Sequence, residues 1–193
     1  MNTKNGRERP ARDRLMKAAA ELFYAHGMAA TGIDAITARA GVARKSLYNN
    51  FASKDDLVLA YIEERHLEWL ALHERRAAMA QNPRDRVLAV FDAYIDHAST
   101  GYLHGFRGCG LLNAAAELPA GDPGRVAVRA HKEQVESILA DALTGILGPD
   151  RTGDLAEQLA FVLEGAVARA GLEGRADRLV HARAIAASLV DAA

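Results

Sequence analysis

Arg44, Lys45, Tyr48 and Asn49 fall within six residues of one another, flanking the apolar Leu47 and following an Ala40-Gly41-Val42-Ala43 turn. Arg and Lys donate to guanine O6 and N7, Asn pairs with adenine N6 and N7, and a tyrosine hydroxyl suits a phosphate. A helix over about 44–50 brings all four to one side, within an arc of about 140°, with Leu47 outside it. These residue types on a short helix fit a DNA major groove. The spacing predicts that Arg44, Lys45 and Asn49 face bases. Tyr48, Thr31 and Lys54 are placed to hydrogen-bond phosphates.

A reading helix needs a frame. Thr31 can cap a short helix that closes at Gly41, and the next runs from about Arg44 to Asn50. Two short helices joined by a tight Gly-containing turn form a helix-turn-helix. Ile33, Ile36, Ala40, Val42 and Leu47 supply its apolar seam. Before it, Leu15, Ala18, Ala19, Leu22 and Phe23 recur at helical spacing after Pro10, and Gly27 ends that helix. After it, Ser53 caps a long helix to about Ala80, with Asp55 and Asp56 in the first turn where the dipole favours acids. Asn82-Pro83 opens a fifth helix. A short helix ends at Glu117, another stripe runs Val135 to Ile146, and Gly148-Pro149 precedes two last helices near 152–171 and 175–191.

The chain thus reads as all-α with about nine helices, three of them in an N-terminal reading domain and the rest in a larger helical body. Its 40 alanines and 50% hydrophobic content agree with that. The expected boundaries are a disordered basic arm over 1–9, a DNA-binding domain over 10–54, and a ligand-binding and dimerisation domain over 55–193. The formal net charge of −1 conceals a division. Residues 1–50 hold nine Lys/Arg against four Asp/Glu, a net +5, and residues 51–193 carry −6. A basic head on an acidic body suits one polyanionic partner met by the head alone. One cysteine, Cys109, excludes an internal disulfide and a cysteine-based zinc site. The basic N-terminus lacks a signal-like apolar stretch, and no run of about 20 apolar residues spans a membrane. A cytoplasmic protein without metal or cofactor is expected.

The segment Arg14 to Leu57 resembles the DNA-binding domain of the TetR family of transcriptional regulators. The positions that carry the resemblance are Ala18, Leu22, Phe23, Gly27, Thr31, Ile36, Ala40, Gly41, Val42, Leu47, Tyr48, Phe51, Ser53, Lys54 and Leu57. It departs at Ala43, where the family has a Ser or Thr cap, at Thr37, where Ala is common, and at Gly32, where a β-branched residue is usual. The resemblance implies that Arg44, Lys45 and Asn49 face bases while Tyr48, Asn50, Thr31 and Lys54 hold the backbone, in a homodimer binding a pseudopalindromic operator, most simply a repressor released by a small-molecule effector. An activator with the same parts, or a sequence-tolerant DNA binder, is the alternative.

The body resembles the family's regulatory half, most clearly at Gly108-Cys109-Gly110-Leu111-Leu112-Asn113, Glu117 and His131-Lys132. Asn113 and Glu117 share a helix face at i, i+4. A small-molecule chamber needs apolar walls and a few polar groups, and Tyr94, His97, Phe106, Cys109, Asn113, Glu117 and His131 are its expected lining. Cys109 reads either as a small packed residue or as a thiol sensitised by the helix start. Leu155, Leu159, Val162, Leu163 and Ala166, with Leu179, Ala182, Ala186 and Leu189, are expected to form a two-helix dimer face. Glu63 and His66 have a di-iron Glu-x-x-His spacing, but no second copy exists. Neither a Walker loop nor a nucleophile elbow is present, so no enzymatic activity is expected.

Overall fold

A computed structural model of the chain describes residues 9–193. The basic arm lies outside the described residues except for the backbone of Arg9. Nine α-helices are present among the described residues: α1 (Arg9–His26), α2 (Ile33–Ala40), α3 (Arg44–Asn50), α4 (Lys54–Ala77), α5 (Pro83–Ala98), α6 (Gly110–Ala116), α7 (Pro123–Leu143), α8 (Pro149–Glu173) and α9 (Asp177–Asp191). No strand occurs among them. The all-α expectation holds.

Contacts divide the chain into two units. Unit one takes the described residues up to Arg65 together with Gly110–Val128, and unit two takes His66–Cys109 and Arg129–Ala193. The chain therefore changes unit inside α4, ahead of α6 and inside α7.

In unit one, α1 packs on α2, α3 and α6. The buried faces supply Leu15, Ala19, Phe23, Ile36, Leu47, Phe51, Leu57 and Tyr61. Phe23 meets Tyr61 edge-on at 5.5 Å between ring centres. Gly41 ends α2 at φ +63°, a left-handed conformation that glycine adopts without strain. The α2 cap is a correction. Gly32, not Thr31, stands at the N-cap, and no side chain bonds there. Ala43 likewise starts α3 without a side-chain cap. Ser53 Oγ accepts from the Asp56 N–H at 3.0 Å, so α4 is capped as the sequence suggests.

In unit two, α9 packs against both α5 and α8. The core holds Phe91, Leu139, Leu143, Leu159, Leu163, Val167, Leu179 and Ala186. Asn82 caps α5 by accepting from the Asp85 N–H at 2.9 Å, with Pro83 in the first turn. Arg183–Asp92 and Arg84–Asp191 clamp α9 to α5 at 2.7 and 2.5 Å. Gly171 permits main chain to approach main chain: a Cβ there falls 2.6 Å from Gly108 Cα. That approach seats the loop leading to Cys109 on α8. Among the described residues no helix is long and apolar enough to cross a membrane.

Candidate nucleic-acid interface and regulatory cluster

Leu47 is fully buried, and it anchors α3 with Arg44, Lys45, Tyr48 and Asn49 on the exposed side. The Arg44 guanidinium lies 5.9 Å from the centre of the Tyr48 ring, and its Nη1 is 3.1 Å from Asp34 Oδ1 on α2. Both Arg44 and Asp34 are mostly exposed. An exposed pair of this kind is weak in water and leaves the arginine available to a stronger acceptor. The three residues expected to face bases therefore share one exposed surface on one short helix.

The residues expected at phosphates divide. Tyr48 is 48% exposed. Asn50 Nδ2 donates to Ser46 O at 2.7 Å inside α3. Lys54 Nζ donates to Met28 O at 2.6 Å. Thr31 needs a correction: it is buried, and its hydroxyl lies 2.6 Å from Gly27 O and 3.3 Å from Leu22 O. One hydroxyl proton directed at the main chain is not offered to a phosphate. Thr31 holds the α1–α2 corner.

Glu117 meets the same corner. Its carboxylate accepts from the Met28 N–H at 3.0 Å and the Ala29 N–H at 2.6 Å. Asn113 is exposed on α6, and both residues belong to unit one. Tyr94, His97, Phe106, Cys109 and His131 belong to unit two. The expected lining is thus two sets. The helix periodicity placed Asn113 and Glu117 on one face but carried no information on a bond that spans 88 or 89 residues.

The unit-two set forms a mostly buried polar cluster. Lys132 Nζ lies 2.7 Å from Glu164 Oε1, 3.4 Å from the Tyr94 hydroxyl and 3.6 Å from Cys109 Sγ. Burial opposes the charge on Lys132, but Cys109, Tyr94 and Glu164 around it more than offset this and keep it an ammonium. Burial pushes the Tyr94 hydroxyl up, so it stays protonated. The Trp69 ring stands 5.4 Å from Tyr94 and from His131, and stacks on His73 at 5.4 Å. His131 Nδ1 is 2.9 Å from His66 Nδ1. Burial pushes His131 down to about 3, with Lys132, His66 and His97 adding to the effect. A second aromatic group joins His97, Tyr102 and Phe106. Two buried polar atoms here lack a protein partner, the Trp69 indole N–H and Glu164 Oε2. Among the described residues no three His, Cys, Asp or Glu side chains gather as a metal site.

Sequence reasoning missed Glu164 and Trp69, weighed His66 only in a Glu-x-x-His spacing, and treated Lys132 only as His131's neighbour. A signal existed for one: Glu164 is an acid beside the buried Leu163 in an otherwise apolar stretch of α8.

The expected dimer face also needs a correction. Leu155, Leu159, Leu163, Leu179, Ala182 and Ala186 are buried within the chain itself, and Val162, Ala166 and Leu189 are half-buried. Fully covered side chains cannot meet a partner. The large apolar residues left outside on α8 and α9 are Phe161, Leu172, Val180 and Ile185, with Leu172 84% exposed. Gly165 and Ala168 lie between Phe161 and Leu172 at helical spacing, and the space above Gly165 is open.

A family model for bacterial regulatory proteins of the tetR family matches residues 15–61. The transcriptional activator FasR of Mycolicibacterium smegmatis is 41% identical over 96 residues, covering 47% of this chain and 43% of that protein. The chain therefore spans less than half of that relative's length. The transcriptional regulator TcmR of Streptomyces glaucescens is 30% identical over 162 residues, covering 83% of this chain and 71% of that protein. A TetR-family regulator of Streptomyces coelicolor has the same fold, with a TM-score of 0.83 and 32% identity over 94% of this chain and 96% of that one. With a helix-turn-helix in α2 and α3 and relatives matched over most of the chain, the chain belongs to the TetR family of DNA-binding transcriptional regulators.

Proposed function

We propose that the protein is an effector-responsive repressor that binds a pseudopalindromic operator as a homodimer. The observation that carries this reading is the exposed Arg44, Lys45 and Asn49 set on α3, held by the fully buried Leu47. One seven-residue helix reads only a few base pairs, so two copies on successive major grooves supply the specificity. Phe161, Leu172, Val180 and Ile185 support a two-fold contact through α8 and α9. The effector reading rests on the cluster of Tyr94, Lys132, Cys109, Glu164, Trp69 and His131. Its unsatisfied indole N–H and carboxylate oxygen await partners. An effector that prefers one arrangement of that cluster shifts the population of DNA-binding states; one that binds all arrangements equally does nothing. The functional division is drawn after Lys54, with the DNA-reading part before it.

Selection of bound duplexes from a random DNA pool tests the reading. A palindromic consensus is expected, with half-sites about one helical turn apart. Enrichment of no sequence would leave only a sequence-tolerant binder. Arg44→Ala is expected to cost about 1–3 kcal/mol and relax preference at one base position. Leu172→Glu is expected to leave the chain folded and monomeric in sedimentation. A dimer that persists in both Leu172→Glu and Phe161→Glu removes this face.

A second reading keeps the same architecture with the opposite sign. The relative FasR is named an activator. A reporter downstream of the selected site decides: expression rising on deletion of the protein indicates a repressor, and expression falling indicates an activator.

A further inference from the structure

We propose that Glu117 is a positioning residue for DNA reading, whose carboxylate fixes the corner between α1 and α2. Gly27 turns the chain at φ +88°, and the next two N–H groups, of Met28 and Ala29, both point at Glu117. Consecutive amides aimed the same way make a small anion site. Here the anion is built into the protein and comes from the end of α6.

The corner is held on its other sides as well. Lys54, at the start of α4, donates to Met28 O, and Thr31 donates to Gly27 O. Met28 is thus fixed at its N–H, its C=O and its buried side chain. The corner joins the end of α1, the approach to α2, the start of α4 and the turn after α6. The α6 end is itself braced. Arg125 Nη1 donates to Ala115 O and Leu118 O at 3.1 Å, and a Cβ at Gly110 falls 3.1 Å from the Tyr61 hydroxyl and 3.2 Å from the Tyr24 ring. Gly27 fits the same design, since a Cβ there falls 2.9 Å from Glu117 Oε1.

The sign of the effect separates positioning from a bystander role. Glu117 is an acid in the unit that carries the DNA-reading helix. A bystander carboxylate repels phosphates, so its neutralisation strengthens DNA binding. A positioning carboxylate gives the reverse, because its loss unseats the corner from which α2 and α3 follow.

The experiment uses the full chain and a labelled duplex recovered from a random pool, with affinity measured against salt. Glu117→Gln is expected to bind about tenfold more weakly, the scale of one charge-assisted hydrogen bond. Its salt slope stays unchanged because no phosphate contact is lost. Hydrogen exchange at the Met28 and Ala29 amides speeds up while helix content by circular dichroism is kept. Lys54→Met acts on the same residue, so the double variant is expected within about threefold of the weaker single one. Wild-type or tighter binding by Glu117→Gln overturns the proposal. So does a loss of affinity no larger than the loss of folded protein, or full additivity with Lys54→Met.

Discussion

At the unit-one corner Thr31, Lys54 and Glu117 all end on main-chain atoms. In unit two Lys132, Glu164, Tyr94, Cys109, His66 and His131 end on one another. A bond to an amide or carbonyl ties a side chain to the path of the backbone, and it persists as long as that path does. A bond between two side chains on different helices can be exchanged for a bond to a third group, because each partner keeps its charge or its hydrogen-bonding capacity. The first arrangement suits a part that must present the same surface to every operator. The second suits a part that must change when something binds.

The largest test of this contrast lies at Lys132 and Glu164, whose side chains are 18% and 31% exposed. Removing one partner of a mostly buried pair leaves the other without compensation. Glu164→Gln is therefore expected to lower unfolding free energy by about 3 kcal/mol in urea denaturation. Replacing both, with Lys132→Met and Glu164→Leu, is expected to return stability to within about 1 kcal/mol of the wild type. The double variant folds with an apolar cluster and loses exchangeable partners, so its DNA binding stops responding to any effector found for the wild type. A double variant as unstable as Glu164→Gln would show that the pair is held by its surroundings, which contradicts exchangeability.

How much of this contrast was legible in the chain follows from bond range. The head was readable because its parts are close together: Ile36, Ala40, Gly41 and Leu47 define the helix-turn-helix within a dozen residues, and α3 begins and ends at Arg44 and Asn50 as the spacing predicts. The corner was not readable, since Glu117 and Lys54 reach residues 26 to 89 positions away. In the body, periodicity separated inside from outside but not one inside from another. Leu159, Leu163 and Leu179 belong to the stripe that the chain buries in itself. The apolar residues left exposed on α8, Phe161 and Leu172, lie off the stripe, and amphipathic counting passes over them as exceptions.

The second test titrates unit two. His131 is 2% exposed and its pKa is pushed down to about 3, mainly by burial. In the unfolded chain it protonates near 6.5. Between these values the unfolded state binds a proton that the folded state refuses, so stability rises with pH across the window and falls as the solution is acidified. At pH 5 the loss is about 2 kcal/mol relative to pH 7.5. His131→Gln is expected to flatten that part of the stability–pH curve measured by urea denaturation. An unchanged slope would mean that His131 titrates normally and that the cluster is wetter than its burial indicates.

The smallest test compares two bonds of the same kind, one in each unit. Ser53 Oγ accepts from Asp56 N–H at the start of α4, and Asn82 Oδ1 accepts from Asp85 N–H at the start of α5. Replacing either cap with alanine costs about 1 kcal/mol of stability, since each satisfies one otherwise orphaned helix N–H. The consequences for DNA differ. Ser53 immediately precedes Lys54, which donates to Met28 O at the corner, so fraying the first turn of α4 loosens the hold on α1 and α2. Asn82 sits in unit two at the start of α5, far in sequence from any group that reaches α3. Ser53→Ala is therefore expected to weaken DNA binding several-fold beyond its effect on the melting temperature, and Asn82→Ala to leave DNA binding unchanged at equal loss of stability. If both caps lower DNA affinity equally, main-chain bonding at the corner does not set the reading surface, and general stability does.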